Sequence, residues 1–314
     1  MRLVTRSDFD GLGCAVLLKE KGLLDEILFV HPKDVQDGKV AVTSNDILAN
    51  VPYVPGCGLW FDHHSSEEER KAYGHFEGVS DPTAPSAARA IHAHYGGERA
   101  FPNSHIDSLL AAVDKVDSGL LSLDEIRRPT GWVLISFVMD PRTGLGRYKD
   151  YRVSNYQLML DMVDYARTMT AEEILQLGDV RERVRRYCEQ DTLFKGMLAS
   201  RSVVRGDAIV VDLRPCEEIY TGNRFVLYSL FPDQNISLQV MWGLRKQNVV
   251  ITCGHSILKR TSTVDVGSLM LRYGGGGHQR VGTCQVDADQ ADRVIEELVA
   301  HIQACPKRQQ LDVA

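Results

Sequence analysis

Residues 2–21 read RLVTRSDFDGLGCAVLLKEK, and this stretch decides the fold class. Residues 2–5 form a short β-type run. A helix is expected to open near Gly11 and to continue through GLGCAVLLKEKG. A strand passing almost directly into an apolar helix is the opening of a β-α-β unit. The pattern repeats downstream, with strands expected over 27–31, 46–50 and 58–61. The turn-rich VPYVPGCG lies between the last two. The segment SAARAIHAHYGG reads as a helix, capped by PTAPS before it and stopped by paired glycines after it. Strands alternating with helices predict an open, mostly parallel α/β sheet.

Beyond residue 121 the pattern changes. Helical periodicity dominates 122–199, with candidate helices at 156–167, 171–177 and 180–194. Strands return at 208–213, 225–231, 236–242 and 248–254, and a final helix is expected over 289–304. The chain thus divides into an α/β lobe at 1–121, a helical connector or insertion at 122–199, and a smaller α/β lobe at 200–314. The last residues, KRQQLDVA, read as a frayed tail.

Bulk composition excludes several classes. A chain of 314 residues, 44% hydrophobic and 25% charged, can bury a substantial core and is neither disordered nor fibrous. Mean hydropathy is −0.19. No apolar run approaches the roughly 18 residues of a membrane span, and the start has no signal-peptide core, so the expected location is cytoplasmic. The seven cysteines are odd in number, scattered and without a CxxC pair, which argues for reduced thiols over a zinc site or a disulfide framework. With 36 basic and 42 acidic side chains the net charge is −6, which disfavours long duplex nucleic acid as a partner. A small anionic ligand in a local pocket is compatible with it.

Four segments carry candidate chemistry. Asp8 and Asp10 stand one residue apart after the first strand, where ligands of open parallel sheets bind. Two carboxylates there can reach neighbouring cations, although an aspartate also suits a helix cap. Asp62-His63-His64 follows the strand GLWF, and its mixture of carboxylate and imidazole points to a transition metal. The alternative is a solvated acidic loop running into SSEEER. Asp114 and Asp117 are three apart, hence on one helical face, with Asp117 at the helix end and Lys115 able to pair with that face. Four successive glycines precede His278. Bare backbone there can form an anion nest, with His278 as a further donor and Arg260 as a bidentate phosphate clamp.

The ordered set resembles the DHH phosphoesterase superfamily, in particular members with the DHH-associated C-terminal domain, often described as exopolyphosphatase-related. Asp8-Phe9-Asp10-Gly11 is similar to its first motif, Asp62-His63-His64 to the motif that names it, and Asp117-Ser118-Gly119 to its fourth. Gly275-Gly276-Gly277-His278 is similar to the substrate motif of the C-terminal domain. The resemblance covers 1–119 and 200–287. It implies a manganese-dependent phosphoesterase with two Mn2+ ions and an active site between two lobes. Asp8 would hold one ion, and Asp10, His63 and Asp117 the other. His64 would face a substrate phosphate, while Arg260 and Gly275–His278 would grip the substrate's far end.

Two positions depart from the family pattern. Arg6 and Val4 stand where a histidine ligand is expected, and a guanidinium has no lone pair to give a metal. Either one ion is then missing, or Arg6 binds phosphate where that ion's charge would act. The second motif expects an aspartate at a strand end. Asp46 begins the third strand and Asn50 ends it, so either Asp46 is the ligand or the bridge lacks its charge; His31 is a further loop histidine nearby.

The expected activity is hydrolysis of short linear oligonucleotides, such as dinucleotides or nanoRNA, to mononucleotides. Polyphosphate or pyrophosphate hydrolysis is one alternative. A nucleotide-binding protein with an impaired metal site is the other. Any small phosphate ester fits as substrate, no membrane partner is expected, and a homodimer is compatible with the sequence.

Overall fold

A computed structural model describes residues 1–64 and 75–308; the acidic run after His64 and the last six residues of the tail lie outside the described residues. In chain order the N-terminal elements are β1 (Arg2–Arg6), α1 (Phe9–Glu20), β2 (Glu26–Val30), α2 (Pro32–Gln36), β3 (Asp46–Ala49), β4 (Leu59–Asp62), β5 (Gly78–Ser80), α3 (Ala87–His94) and α4 (Ser104–Asp117). There follow α5 (Leu123–Arg127), α6 (Gly131–Met139), α7 (Asn155–Thr168), α8 (Ala171–Gln176) and α9 (Gly178–Arg201). The remainder comprises β6 (Ser202–Arg205), β7 (Ala208–Asp212), α10 (Val226–Leu230), β8 (Ile236–Trp242), β9 (Val249–His255), α11 (Val266–Leu271), β10 (Gly276–His278), β11 (Val281–Val286) and α12 (Ala291–Ala304).

The chain forms two compact units, the first made of 1–120 and 129–188, the second of 121–128 and 189–314. The first contains a five-stranded sheet of order β2-β1-β3-β4-β5, parallel throughout. Period-two alternation sends Leu3, Ile47 and Phe61 into a core on one face, and Val4, Leu48 and Trp60 into a second core on the other. Both faces are covered, as parallel sheets require. Helix α1 lies inside the larger core, buried from Phe9 to Leu18. Gly11 permits its close start, because a Cβ there would lie 1.9 Å from the Arg6 carbonyl oxygen. Trp132, Ile135, Met162 and Ile174 of the later helices pack into the same core.

The second unit is built on a six-stranded sheet of order β10-β11-β9-β8-β7-β6, in which β7 and β8 are the parallel pair. Val294, Leu298 and Ile302 of α12 pack with Ile236, Leu238 and Ile251 of the sheet.

Most expected elements fall within a residue or two of their predicted ends. The strand expected at 225–231 is instead helix α10, where Val226, Leu227, Tyr228 and Ser229 are all buried. A short apolar run has no period that separates a buried strand from a buried helix, and here the Asn223 side chain accepts the Phe225 N–H and turns the chain. The tail is anchored at its start: Lys307 pairs in a β-bridge with Ser262, and the Arg308 N–H donates to the Thr261 carbonyl.

Candidate metal centre and arginine recess

Strand order reverses between β1 and β3, and the crest of the sheet at that point is where an open α/β sheet binds ligands. Arg6 and Asp8 follow β1 there, Asn50 follows β3, and Asp62, His63 and His64 close β4. The sheet therefore collects three separate sequence motifs along one edge.

Asp8 caps α1, its Oδ1 accepting the Gly11 N–H at 3.0 Å. The same oxygen accepts from Asn50 Nδ2 at 3.0 Å, and Oδ2 lies 3.0 Å from Arg6 Nε. Cap and crest roles thus coincide in one carboxylate. Asn50 sits in the left-handed region at φ 55°, a conformation asparagine tolerates, and its N–H donates to the Phe61 carbonyl.

Asp10 occupies the first turn of α1 and points at the amino end of α3. Its Oδ2 accepts the Ala87 N–H at 3.0 Å and its Oδ1 the Ala88 N–H at 2.9 Å, while Ser86 caps the next turn through Arg89. Backbone donors at a helix start stabilise a carboxylate held there. Beside it, His63 Nε2 lies 3.8 Å from Asp10 Oδ2 and 3.2 Å from Asp117 Oδ2. His63 Nδ1 faces the Ala84 carbonyl at 3.3 Å, which leaves Nε2 directed inward. Nε2 is buried and makes no aligned hydrogen bond. The ligand atoms of Asp10, His63 and Asp117 all fall within 4.8 Å of one another.

The electrostatics are those of crowded anions around one imidazole. Burial, then the Asp117 charge, pushes the Asp10 carboxyl up to about 7. Burial pulls His63 down, but Asp117 and Asp10 outweigh it and the ring is pushed up to about 9. Asp117 is held below its ordinary value because His63 outweighs the cost of burial. A divalent cation would satisfy all three groups at once, and two carboxylates with an imidazole are a donor set that a divalent transition metal accepts.

His64 is oriented by Asp62, with Nδ1 2.8 Å from Oδ1, and its ring lies 4.5 Å from that of His63. Asp62 Oδ2 is buried without a hydrogen-bond partner. Asp46 is at the opposite end of β3 from this crest. It accepts from Arg2 Nε at 2.6 Å and from the Thr43 N–H and hydroxyl. Asn50 therefore fills the crest position after β3. His31 caps α2 by accepting the Lys33 N–H, and Asp114 binds Arg89 and the Ser86 hydroxyl.

One residue of this site has no counterpart in the sequence reading. Arg142, in the turn after α6, is held by Asp140 through Nε and its own N–H. Burial works against its charge, but Asp140, Asp8 and Asp117 outweigh it, so a second guanidinium lies within electrostatic reach of the acidic crest. The tripeptide Asp140-Pro141-Arg142 carries only a turn signal.

In the second unit the glycine run is an edge strand: Gly276, Gly277 and His278 pair with Thr283, Gly282 and Val281 of β11. A Cβ on Gly277 would lie 2.3 Å from Gly282 Cα, so close strand approach is the use made of the glycine. The strand leads into Gln279 and Arg280, which line an open recess with Arg260, Arg308, Ser256 and Ser262. Burial and the neighbouring Arg280 charge push Arg260 down. Three guanidiniums around one recess favour an anion.

No protein-family model and no curated protein matches the chain. Among solved structures, a pGpG-specific phosphodiesterase, PggH, from Vibrio cholerae is 48% identical, with a TM-score of 0.82 over 97% of this chain and 99% of that one. This chain belongs to the DHH phosphoesterase superfamily. Two more distant likenesses share the fold. An exopolyphosphatase-related protein from Bacteroides fragilis is 13% identical with a TM-score of 0.55, over 96% of this chain and 91% of that one. RecJ from Thermus thermophilus, solved with Mn2+, is 15% identical with a TM-score of 0.53, over 98% of this chain and 53% of that one. The DHH motif of this chain is Asp62-His63-His64, and the metal-capable trio takes its imidazole from the middle of it.

Proposed function

We propose that the protein is a metal-dependent phosphodiesterase that hydrolyses short linear dinucleotides to mononucleotides, with pGpG as the first candidate substrate. One observation carries the reading. His63 Nε2 stands between two carboxylates, in a chain that is 48% identical over its length to a pGpG phosphodiesterase.

Asp10, His63 and Asp117 would hold the cation, with manganese favoured by the two hard carboxylate donors beside one imidazole. A bound cation supplies an activated water and neutralises charge developing on phosphate oxygens. His64, held by Asp62, would donate to a phosphate oxygen. Arg6 and Arg142 would draw the phosphodiester to the crest, and Asp10, fixed by two backbone N–H groups, would keep the ligand set rigid. Within the second unit, Arg260, Arg280 and Arg308 would bind an anionic group at their own recess.

The test is mononucleotide release from a panel of linear dinucleotides that includes pGpG, with manganese and with chelator. The Asp62→Ala, His63→Ala variant is the control. Manganese-dependent release that the variant lacks is the expected result. Release of orthophosphate from polyphosphate, with every dinucleotide intact, would instead favour the polyphosphatase alternative.

A further inference from the structure

We propose that this chain holds one divalent cation, on Asp10, His63 and Asp117, and that the Arg6 guanidinium, paired with an Asp8 that Asn50 also holds, takes the place of a second. The proposal rests on the metal-dependent reading above but not on the identity of the substrate.

The residues around Asp8 do not fit a second ion. Of the roughly four lone-pair sites on Asp8, three are engaged, one of them by a guanidinium that already balances the carboxylate charge. Oδ1 of Asp8 already accepts two hydrogen bonds, from Gly11 and Asn50, and Oδ2 is in an ion pair with Arg6. Asp8 is buried, so those contacts are made where the dielectric is low and each is strengthened. Asn50 turns its amide N–H toward Asp8, which directs a donor where a ligand would have to direct a lone pair. It is neutral, so it brings no charge to offset a divalent ion.

Arg6 completes the exclusion. Its guanidinium is permanently charged and has no acceptor atom. Arg142 lies within electrostatic reach of Asp8 as well. A second cation would therefore stand against two fixed positive charges, beside a carboxylate whose charge Arg6 already balances. Among the described residues, one group of side chains meets the distances for a metal, and it is the trio that omits Asp8. The arrangement retains positive charge at the crest while removing the metal ligands. Arg6, about one-third open to solvent at 35%, commits Nε to Asp8 and has its remaining N–H donors for a phosphate oxygen.

The experiment is a metal count on the full-length protein, stripped with chelator and titrated with manganese. Bound ions are measured by calorimetry and elemental analysis, and their surroundings by electron paramagnetic resonance. One ion per chain with the hyperfine sextet of isolated manganese(II) is expected. Two ions per chain with an exchange-coupled signal would overturn the proposal. The Arg6→His, Asn50→Asp variant, shown to be folded by circular dichroism, should bind a second ion and develop the coupled signal. A folded double variant that still binds one ion would equally overturn the role given to Arg6. Should the double variant not fold, Arg6→His alone, with the guanidinium removed and a ligand supplied, must increase the amount of manganese bound at saturation, and no increase sinks the idea. These outcomes are separate from dinucleotide turnover. One ion without turnover leaves this proposal standing and removes the proposed activity, whereas two ions with turnover does the reverse.

Discussion

His63 Nε2 lies 3.2 Å from Asp117 Oδ2, joining the end of β4 to the last residue of α4. Neither residue is near the other in sequence, and neither contact partner has an equal alternative nearby: the imidazole is fixed from behind by the Ala84 carbonyl. The relationship makes the metal centre a product of one strand end and one helix end meeting.

That junction predicts a severe cost for removing either side. His63→Gln or Asp117→Asn should lower manganese affinity and dinucleotide turnover by at least about 100-fold, the upper range for perturbing groups around a bound metal. Metal retention on a desalting column and turnover should fall together. Full turnover with the metal lost would contradict the assignment.

Asp46 should matter for stability and not for chemistry. Asp46→Asn weakens the ion pair with Arg2 and leaves a buried site under-satisfied, at a cost of about 1–3 kcal/mol. Burial favours the protonated form of Asp46, but Arg2 and Thr43 outweigh it and hold the carboxyl below its ordinary value. A lowered folded value means the stabilisation is complete above the unfolded value of about 3.9 and is lost as pH falls through the folded one. Urea titrations at neutral pH should therefore separate wild type from variant, with the gap closing in acid. A gap that widens on acidification would refute the sign.

At Gly11 the backbone leaves no room. Gly11→Ala places a Cβ against the Arg6 carbonyl oxygen and must shift either β1 or α1, costing about 1–3 kcal/mol. Because Asp8 and Asp10 flank the site of that shift, manganese binding should weaken even in preparations that remain folded. Unchanged melting temperature and metal affinity would argue against the packing described.

The arginine recess should bind anions. Arg280→Ala and Arg308→Ala are expected to weaken the binding of inorganic phosphate about tenfold, read by calorimetry on the full-length protein. Unchanged phosphate affinity in both variants would remove the anion from the recess.

Much of the architecture is legible in the chain itself. Alternation at Leu3 and Val4, Ile47 and Leu48, and Trp60 and Phe61 encodes a sheet buried on both faces, because side chains on a strand alternate by geometry alone. The motifs around Asp8 and Asp62 stand directly beside those strands, so their place on the fold follows from local order. Helix α10 was not legible, since four consecutive buried positions carry no period. What only the tertiary structure decides is pairing between distant segments. The sequence leaves Asp46 and Asn50 as rivals for one position, and the register of β3 on β1 resolves it by putting them at opposite ends of the strand. It offers no reason to connect Arg142 with Asp8, or Arg280 and Arg308 with Arg260. Those groupings arise because packing of whole elements sets where charges converge, and charge is felt through space and not along the chain.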